Sequence, residues 1–393
     1  MPKPVIVSAY RTPIGTAFKG TLAGTSAMAL ARTIVEETVR RSGIPATAFD
    51  DIVLGESMYG GGVLARHAAV EAGLLHIPGV SLNRHCATSL TAVSMAAGSI
   101  VAGMDSVVMA GGVNSTSTAP QAKWRAQPGG EWTEGWMSPS HPDTAEAPNA
   151  DMSITVGWNA AQAHGITREE MDAWAYRSHR RAVEAAEAGK FDDELIPVTV
   201  TGPDGTSFLF ERDEHPRPGI SLEKMATLAP LHPEIEGFSI TAGNSSGLND
   251  GAAAVVLAGS DRAEELGLTT LATVRSWASV GVDPRETGLA PIRAIPLALK
   301  RAGLSVSDID LWEINEAFAV VPLVTARELD IDDSLVNTSG SGCSLGHPIA
   351  ATGARMVVTM VHELRRRGGG TGVAAMCAGG GMGSALVVDV AAP

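Results

Sequence analysis

One stretch of this chain is echoed in its second half without a gap. Arg41-Ser-Gly-Ile-Pro-Ala-Thr-Ala-Phe-Asp-Asp-Ile-Val-Leu-Gly-Glu56 aligns with Arg301-Ala-Gly-Leu-Ser-Val-Ser-Asp-Ile-Asp-Leu-Trp-Glu-Ile-Asn-Glu316. Each copy reads as the end of a helix, a turn, and a strand that finishes in Glu. Further on, Cys86 opens a helical stretch and a strand ends at Met109-Ala-Gly-Gly112. The second half offers His347 at the equivalent helix start and Cys377-Ala-Gly-Gly380 at the equivalent strand end. Three matches in the same order point to two homologous halves.

Short β-branched runs (Val5–Ser8, Ile52–Leu54, Ser106–Met109) alternate with helical stretches (Ser26–Ser42, Ser89–Ala102), the pattern of α/β layering. The expected division is an N-terminal α/β half over residues 1–118 plus 246–265, an inserted loop or lid domain over 119–245, and a C-terminal α/β half over 266–393. Within the insert, 119–150 has no apolar period. Ile166–Lys190 reads as a helical stretch that opens on the cap Thr167–Glu170.

The halves place reactive groups at corresponding positions. Cys86 stands at the head of a helix, where free N–H groups and the dipole favour a thiolate, although a free cysteine is more often a small core residue. His347 follows a glycine and precedes Pro348, a residue suited to a first helical position; this predicts an imidazole held stiffly at a helix start. The other reading is a hydrogen-bonded structural histidine. Cys377 leads a glycine run after a strand, whose freed N–H groups suit an anion or an oxyanion. Asn315 ends the repeated strand, either facing a ligand at the sheet's C-terminal edge or capping a helix over 316–329.

Charge and cysteine usage narrow the function. A net charge of −14 argues against a nucleic-acid partner. Three cysteines without a CxxC pairing argue for reduced thiols and a cytoplasmic setting. No leader pattern and no uninterrupted apolar run of membrane-spanning length is found, so no membrane partner is expected.

Seven ordered segments resemble the thiolase family (acetyl-CoA acetyltransferase and 3-ketoacyl-CoA thiolase) over nearly the whole chain. They are Ile6–Gly15, the Cys86 segment, Ala110–Gly112, Thr241–Gly251, Asn315-Glu-Ala-Phe318, Gly346-His-Pro-Ile349 and Cys377-Ala-Gly-Gly-Gly381. The resemblance implies a duplicated thiolase fold, layered αβαβα. It also implies reversible thiolysis of 3-ketoacyl-CoA, or Claisen condensation of acyl-CoA with acetyl-CoA, through an acyl-Cys86 intermediate. In that scheme Cys86 is the nucleophile, His347 activates it and polarises the thioester oxygen, and Cys377 is the acid/base. Asn315 holds a water for one oxyanion hole, and the N–H groups of Cys86 and Gly379 form the other. Arg217 and Ser246 seat coenzyme A, Met152 lines the acyl pocket, and Phe318 is a further contact. Coenzyme A enters as substrate and product, with no permanently bound cofactor and no metal. The expected assembly is a homodimer or homotetramer.

Four departures from the family pattern stand out. Ala87-Thr88-Ser89 follows the nucleophile, Cys343-Ser344 precedes the histidine, Asp151 adjoins Met152, and Trp132 and Trp136 mark an atypical segment at a subunit contact or the site entrance. A carboxylate at 151 is awkward beside a plain acyl chain. Two alternatives remain: a ketoacyl-synthase-like condensing enzyme, and an acyl-CoA-binding relative without catalysis.

Overall fold

The computed structural model describes residues 2–59, 62–125, 127–136, 139–202 and 204–393, with the side chains of 135 and 136 excepted. In chain order the N-terminal half contains β1 (Pro4–Arg11), α1 (Ala27–Ser42), β2 (Asp51–Gly55), β3 (Val80–Leu82), α2 (Thr88–Val101) and β4 (Val107–Ser115). After an excursion that includes α3 (Arg168–Glu187), the chain returns as β5 (Asn249–Gly259). The second half contains β6 (Ala272–Gly281), α4 (Ala290–Ala302), β7 (Leu311–Ile314), α5 (Thr352–Arg366), β8 (Gly370–Ala378) and β9 (Met382–Val390).

The strands hydrogen-bond in the order β7-β8-β9-β6-β1-β5-β4-β2-β3, and the pair Gly15–Thr16 joins β5 to complete a ten-stranded sheet. Read outward from the β6–β1 seam, the order is the same on both sides, with β3 added at one edge. The senses match too: β2 and β4 are parallel, as are β7 and β8. The added edge pair β2–β3 is parallel as well, and the remaining pairs within each half are antiparallel. The seam is short, with only Val5 opposite Thr273 and Ile6 opposite Ala272.

Side-chain alternation along the strands builds the layers. In β4, Met109 and Val113 face an outer core shared with Leu30, Ile34 and Val35 of α1. Val108 and Ala110 face a middle core that holds both α2 and α5. In β8, Ala374 and Met376 face that same middle core, while Val373 and Ala375 face a second outer core with Ile295 and Leu299 of α4. The result is a stack of helices, half-sheet, paired helices, half-sheet and helices, the αβαβα layering expected from the sequence.

The repeated segment earns its place locally. α1 is capped by the Ser26 hydroxyl, which accepts the Ala29 N–H. It ends with Arg40 and Arg41 in its last turn and Gly43 at φ 67. α4 ends the same way, with Lys300, Arg301 and Gly303 at φ 72. Glycine supplies the left-handed residue and the cations face the carbonyl end of the helix.

α3 opens with a full capping box between Thr167 and Glu170. It is tied to the C-terminal half by Glu316, whose carboxylate accepts from Trp174 Nε1 at 3.0 Å and Ser178 Oγ at 2.6 Å. The excursion is tied to β1 by buried Arg11, which pairs with Glu194 at 2.5 Å and Asp213 at 2.8 Å. Breaking a buried pair from one side typically costs about 3–5 kcal/mol, so these are firm anchors.

Candidate active site

The starts of α2 and α5 meet in the middle layer. Ala354 N–H donates to Ser89 Oγ at 2.9 Å, and a Cβ on Gly353 would stand 2.5 Å from the Leu90 nitrogen. Glycine is required there for the two helices to approach. Ser89, one of the three unusual residues after Cys86, is therefore an acceptor that joins the halves. Thr88 also acts locally: its hydroxyl accepts the Arg84 N–H at 2.7 Å and donates to the His85 carbonyl at 2.5 Å.

Cys86 lies just ahead of α2 and is partly buried against the middle core. Its sulfur faces its own backbone N–H and that of Gly379. The expected lowering of its pKa at a helix end is corrected. Burial pushes the thiol up to about 11, and the two N–H groups only partly offset this. Cys377, at the end of β8, is fully buried and also pushed up, first by burial and then by Cys86 itself, which puts the two thiols within electrostatic reach. Both rest as neutral thiols.

His347 is buried and pushed down to about 3, by burial and then by Arg355, so the free imidazole is neutral. It is not at a helix start: His347 bridges to Leu248, residues 349–351 form a turn, and α5 begins only at Thr352. The stiffness expected of it has other sources. Gly346, at φ 102, packs against Asn249, where a Cβ would lie 2.6 Å from the amide carbon. Asn249 Oδ1 accepts the His347 N–H at 2.9 Å.

The tautomer of His347 follows from its partners. Thr352 Oγ1 donates its one proton to the Pro348 carbonyl at 2.9 Å, so it must accept from His347 Nδ1 at 2.6 Å. Nε2 is left with a lone pair, 3.5 Å from the Asn315 amide nitrogen. Neither Thr352 nor Asn249 was singled out from sequence, although Asn249 stood inside a recognised segment.

Asn315 is not a helix cap, because the following helix starts only at Val320. Its N–H donates to Ala375 at 3.0 Å, holding β7 beside β8. Met152 and the His85 ring line the same space, with Met152 Sδ and His85 Cγ each 3.7 Å from where a Gly379 Cβ would stand. Phe318 is buried against Gly157 and bridges to Ser245, and Ser246 donates to the Ala317 carbonyl at 2.9 Å.

Arg217 is exposed on the excursion, its N–H donating to His179 Nδ1 at 3.2 Å. His215 reaches Gly247, linking the Arg217 and Ser246 segments. Burial first, then Arg217, holds His215 down at about 4.

Asp151 has its own partners: its carboxylate accepts from Ser153 Oγ at 2.6 Å and pairs with His232 at 2.8 Å, so its charge is engaged by neighbouring side chains. Trp132 is exposed, and the side chain of Trp136 lies outside the described residues. Among the described residues no group of His, Cys, Asp and Glu is arranged to hold a metal ion.

Residues 4–261 match the family model for the thiolase N-terminal domain and residues 268–390 that for the thiolase C-terminal domain. The chain is 41% identical to an acetyl-CoA acetyltransferase of Syntrophomonas wolfei, covering 98% of each. It is 39% identical to a 3-ketoacyl-CoA thiolase of Bacillus subtilis, covering 99% of this chain and 100% of that one. The crystal structure of the Bacillus anthracis acetyl-CoA acetyltransferase superposes with a TM-score of 0.89 at 38% identity, covering 99% of both chains.

Proposed function

We propose a residue-level mechanism from one premise: the chain belongs to the thiolase family, and it is an acyl-CoA acyltransferase. In thiolysis, His347 Nε2 takes the Cys86 proton as the sulfur attacks the ketone carbon of a 3-ketoacyl-CoA. The bond between the α-carbon and that carbonyl breaks. The acyl group stays on Cys86, and Cys377 protonates the departing carbanion to give acetyl-CoA. Coenzyme A then attacks the acyl-Cys86 thioester, and acyl-CoA leaves. Condensation runs the same steps backwards.

The N–H groups of Cys86 and Gly379 form one oxyanion hole, and Asn315, through a water, serves the other together with His347. Arg217, Ser246 and Phe318 seat coenzyme A, and Met152 lines the acyl pocket.

One observation carries this reading: the glycine loop that follows Cys377 aims the Gly379 N–H at the Cys86 sulfur. That donor comes from one half and the nucleophile from the other. A thiol resting at about 11 beside a neutral imidazole fits a base that acts only when substrate arrives. Intact-protein mass spectrometry after exposure to acyl-CoA tests it: an acyl adduct that maps to the Cys86 peptide is expected, and an adduct elsewhere overturns the assignment.

The matching strand orders support a division into 1–118 with 246–265, 119–245, and 266–393. No helix among the described residues is long and apolar enough to cross a membrane, and a cytoplasmic homo-oligomer is the reading we adopt. Trp124 and Trp132, exposed on the excursion, supply an apolar surface for a second copy. Size-exclusion chromatography with light scattering tests this, and a monomer at micromolar concentration would overturn it.

A further inference from the structure

His85 is held oddly for a residue next to a nucleophile. Its φ is 46, in the left-handed region, although it is not glycine. Such a conformation is strained and persists only where the surroundings impose it. Here four hydrogen bonds do so. The His85 N–H donates to Asn83 Oδ1 at 2.7 Å, and its carbonyl accepts from the Ser57 hydroxyl at 3.1 Å, the Thr88 hydroxyl at 2.5 Å and the Thr88 N–H at 3.1 Å.

The clamped backbone sends the ring beside Gly379 and Met152, at the wall next to the Cys86 sulfur. Among the described residues that ring has no hydrogen-bond partner. Its neighbour His141 differs. A carbonyl can only accept, so His141 Nε2–H donates to Ala147 at 2.8 Å, and its Nδ1 lies 3.0 Å from the Ser140 hydroxyl, which itself donates to Asn149 Oδ1 at 3.1 Å. Ser140 in turn packs over Gly380, so this loop closes the same wall. Burial, then His141, holds the His85 imidazole below its usual range and hence neutral, with one donor and one acceptor to offer. A plain alkyl chain would leave both without a partner, which costs binding energy.

We propose that His85, backed by His141, is a specificity-determining polar element of the acyl pocket. It takes acyl chains that carry a hydrogen-bond-accepting oxygen, a carboxylate or a hydroxyl, beyond the reacting carbons. This rests on the reading that Cys86 carries the acyl group.

The test is thiolysis by the wild-type enzyme of 3-ketoacyl-CoA substrates of equal length ending in methyl, hydroxyl or carboxylate. At least one oxygenated substrate should exceed the methyl-ended one in kcat/KM by roughly tenfold, and the two oxygenated arms distinguish hydroxyl from carboxylate. His85→Leu should erase that ratio, and His85→Gln, which keeps a donor and an acceptor, should retain most of it. A wild-type preference for the methyl-ended substrate, or a ratio that His85→Leu leaves in place, overturns the proposal. Should the Leu variant not fold, the wild-type preference and a ratio retained by the Gln variant decide. Cys86 acylation is followed in parallel by mass spectrometry. No adduct from any substrate defeats the nucleophile assignment, whereas adducts formed without preference defeat the specificity assignment alone.

Discussion

Met109-Ala-Gly-Gly112 and Cys377-Ala-Gly-Gly380 are corresponding segments of the two halves, yet their glycines serve opposite purposes. In the N-terminal half the strand does not end at Gly112, as the sequence suggested, but runs on to Ser115. Gly112 lies flat under the turn that follows His347, and a Cβ there would sit 1.9 Å from the Ala350 carbonyl oxygen. In the C-terminal half the strand stops at Ala378, and Gly380 and Gly381 turn with φ of 87 and 72, releasing the Gly379 N–H toward Cys86. One copy uses missing side chains to pack and the other uses them to bend. Similar letters at equivalent positions thus support the site from beneath in one half and supply its donor in the other.

Removing the reactive atom on each side separates the two contributions most sharply. Cys86→Ala should reduce turnover by at least about three orders of magnitude and abolish the acyl adduct in intact mass spectra. Cys377→Ala should also turn over at least about a hundredfold more slowly, but with the adduct retained, because the proposed mechanism assigns acylation and proton delivery to different halves. Equal loss of the adduct in both variants would erase this distinction.

The glycines give the next contrast, read by chemical denaturation. Gly112→Ala should cost about 3 kcal/mol or more, since backbone atoms must move. Gly379→Ala meets nothing closer than 3.7 Å and should change stability by less than about 1 kcal/mol. Its narrowing of the space between His85 and Met152 should appear in kcat/KM instead.

Acid stability tests the buried imidazole. His347 titrates near 3 in the folded chain against an ordinary 6.5. On acidification the unfolded chain binds a proton first, so stability present above pH 6.5 is lost as the pH falls toward 3. His347→Gln removes this sensitivity and should lose up to a few kcal/mol less than the parent over that window. Identical acid unfolding curves would contradict a neutral buried ring. The smallest effect concerns the free thiol: alkylation of Cys86 by iodoacetamide should keep rising with pH beyond 9, without a plateau near neutrality.

The two halves and the capped helix at Thr167 were legible because they depend on local pattern and on order along the chain; of the four residues expected to share a site, Cys86 stands near Cys377 and Asn315 beside His347. What the sequence hid depends on distant partners. Asp151 is paired with His232, 81 residues away. The His347 tautomer depends on a hydroxyl whose single proton is committed to Pro348. The basicity of Cys86 was misjudged because a helix end is visible in sequence and desolvation is not.

The two-residue seam between β1 and β6 relates the halves much as an axis relates two subunits. In an assembly of two identical chains, whatever lies at one side of such an axis must lie at the other, so a thiol would face a thiol and an imidazole an imidazole. Joining the copies in one polypeptide lifts that restriction. Each copy is then free to specialise, and a pocket with a nucleophile on one wall and its base on the other becomes accessible to drift and selection.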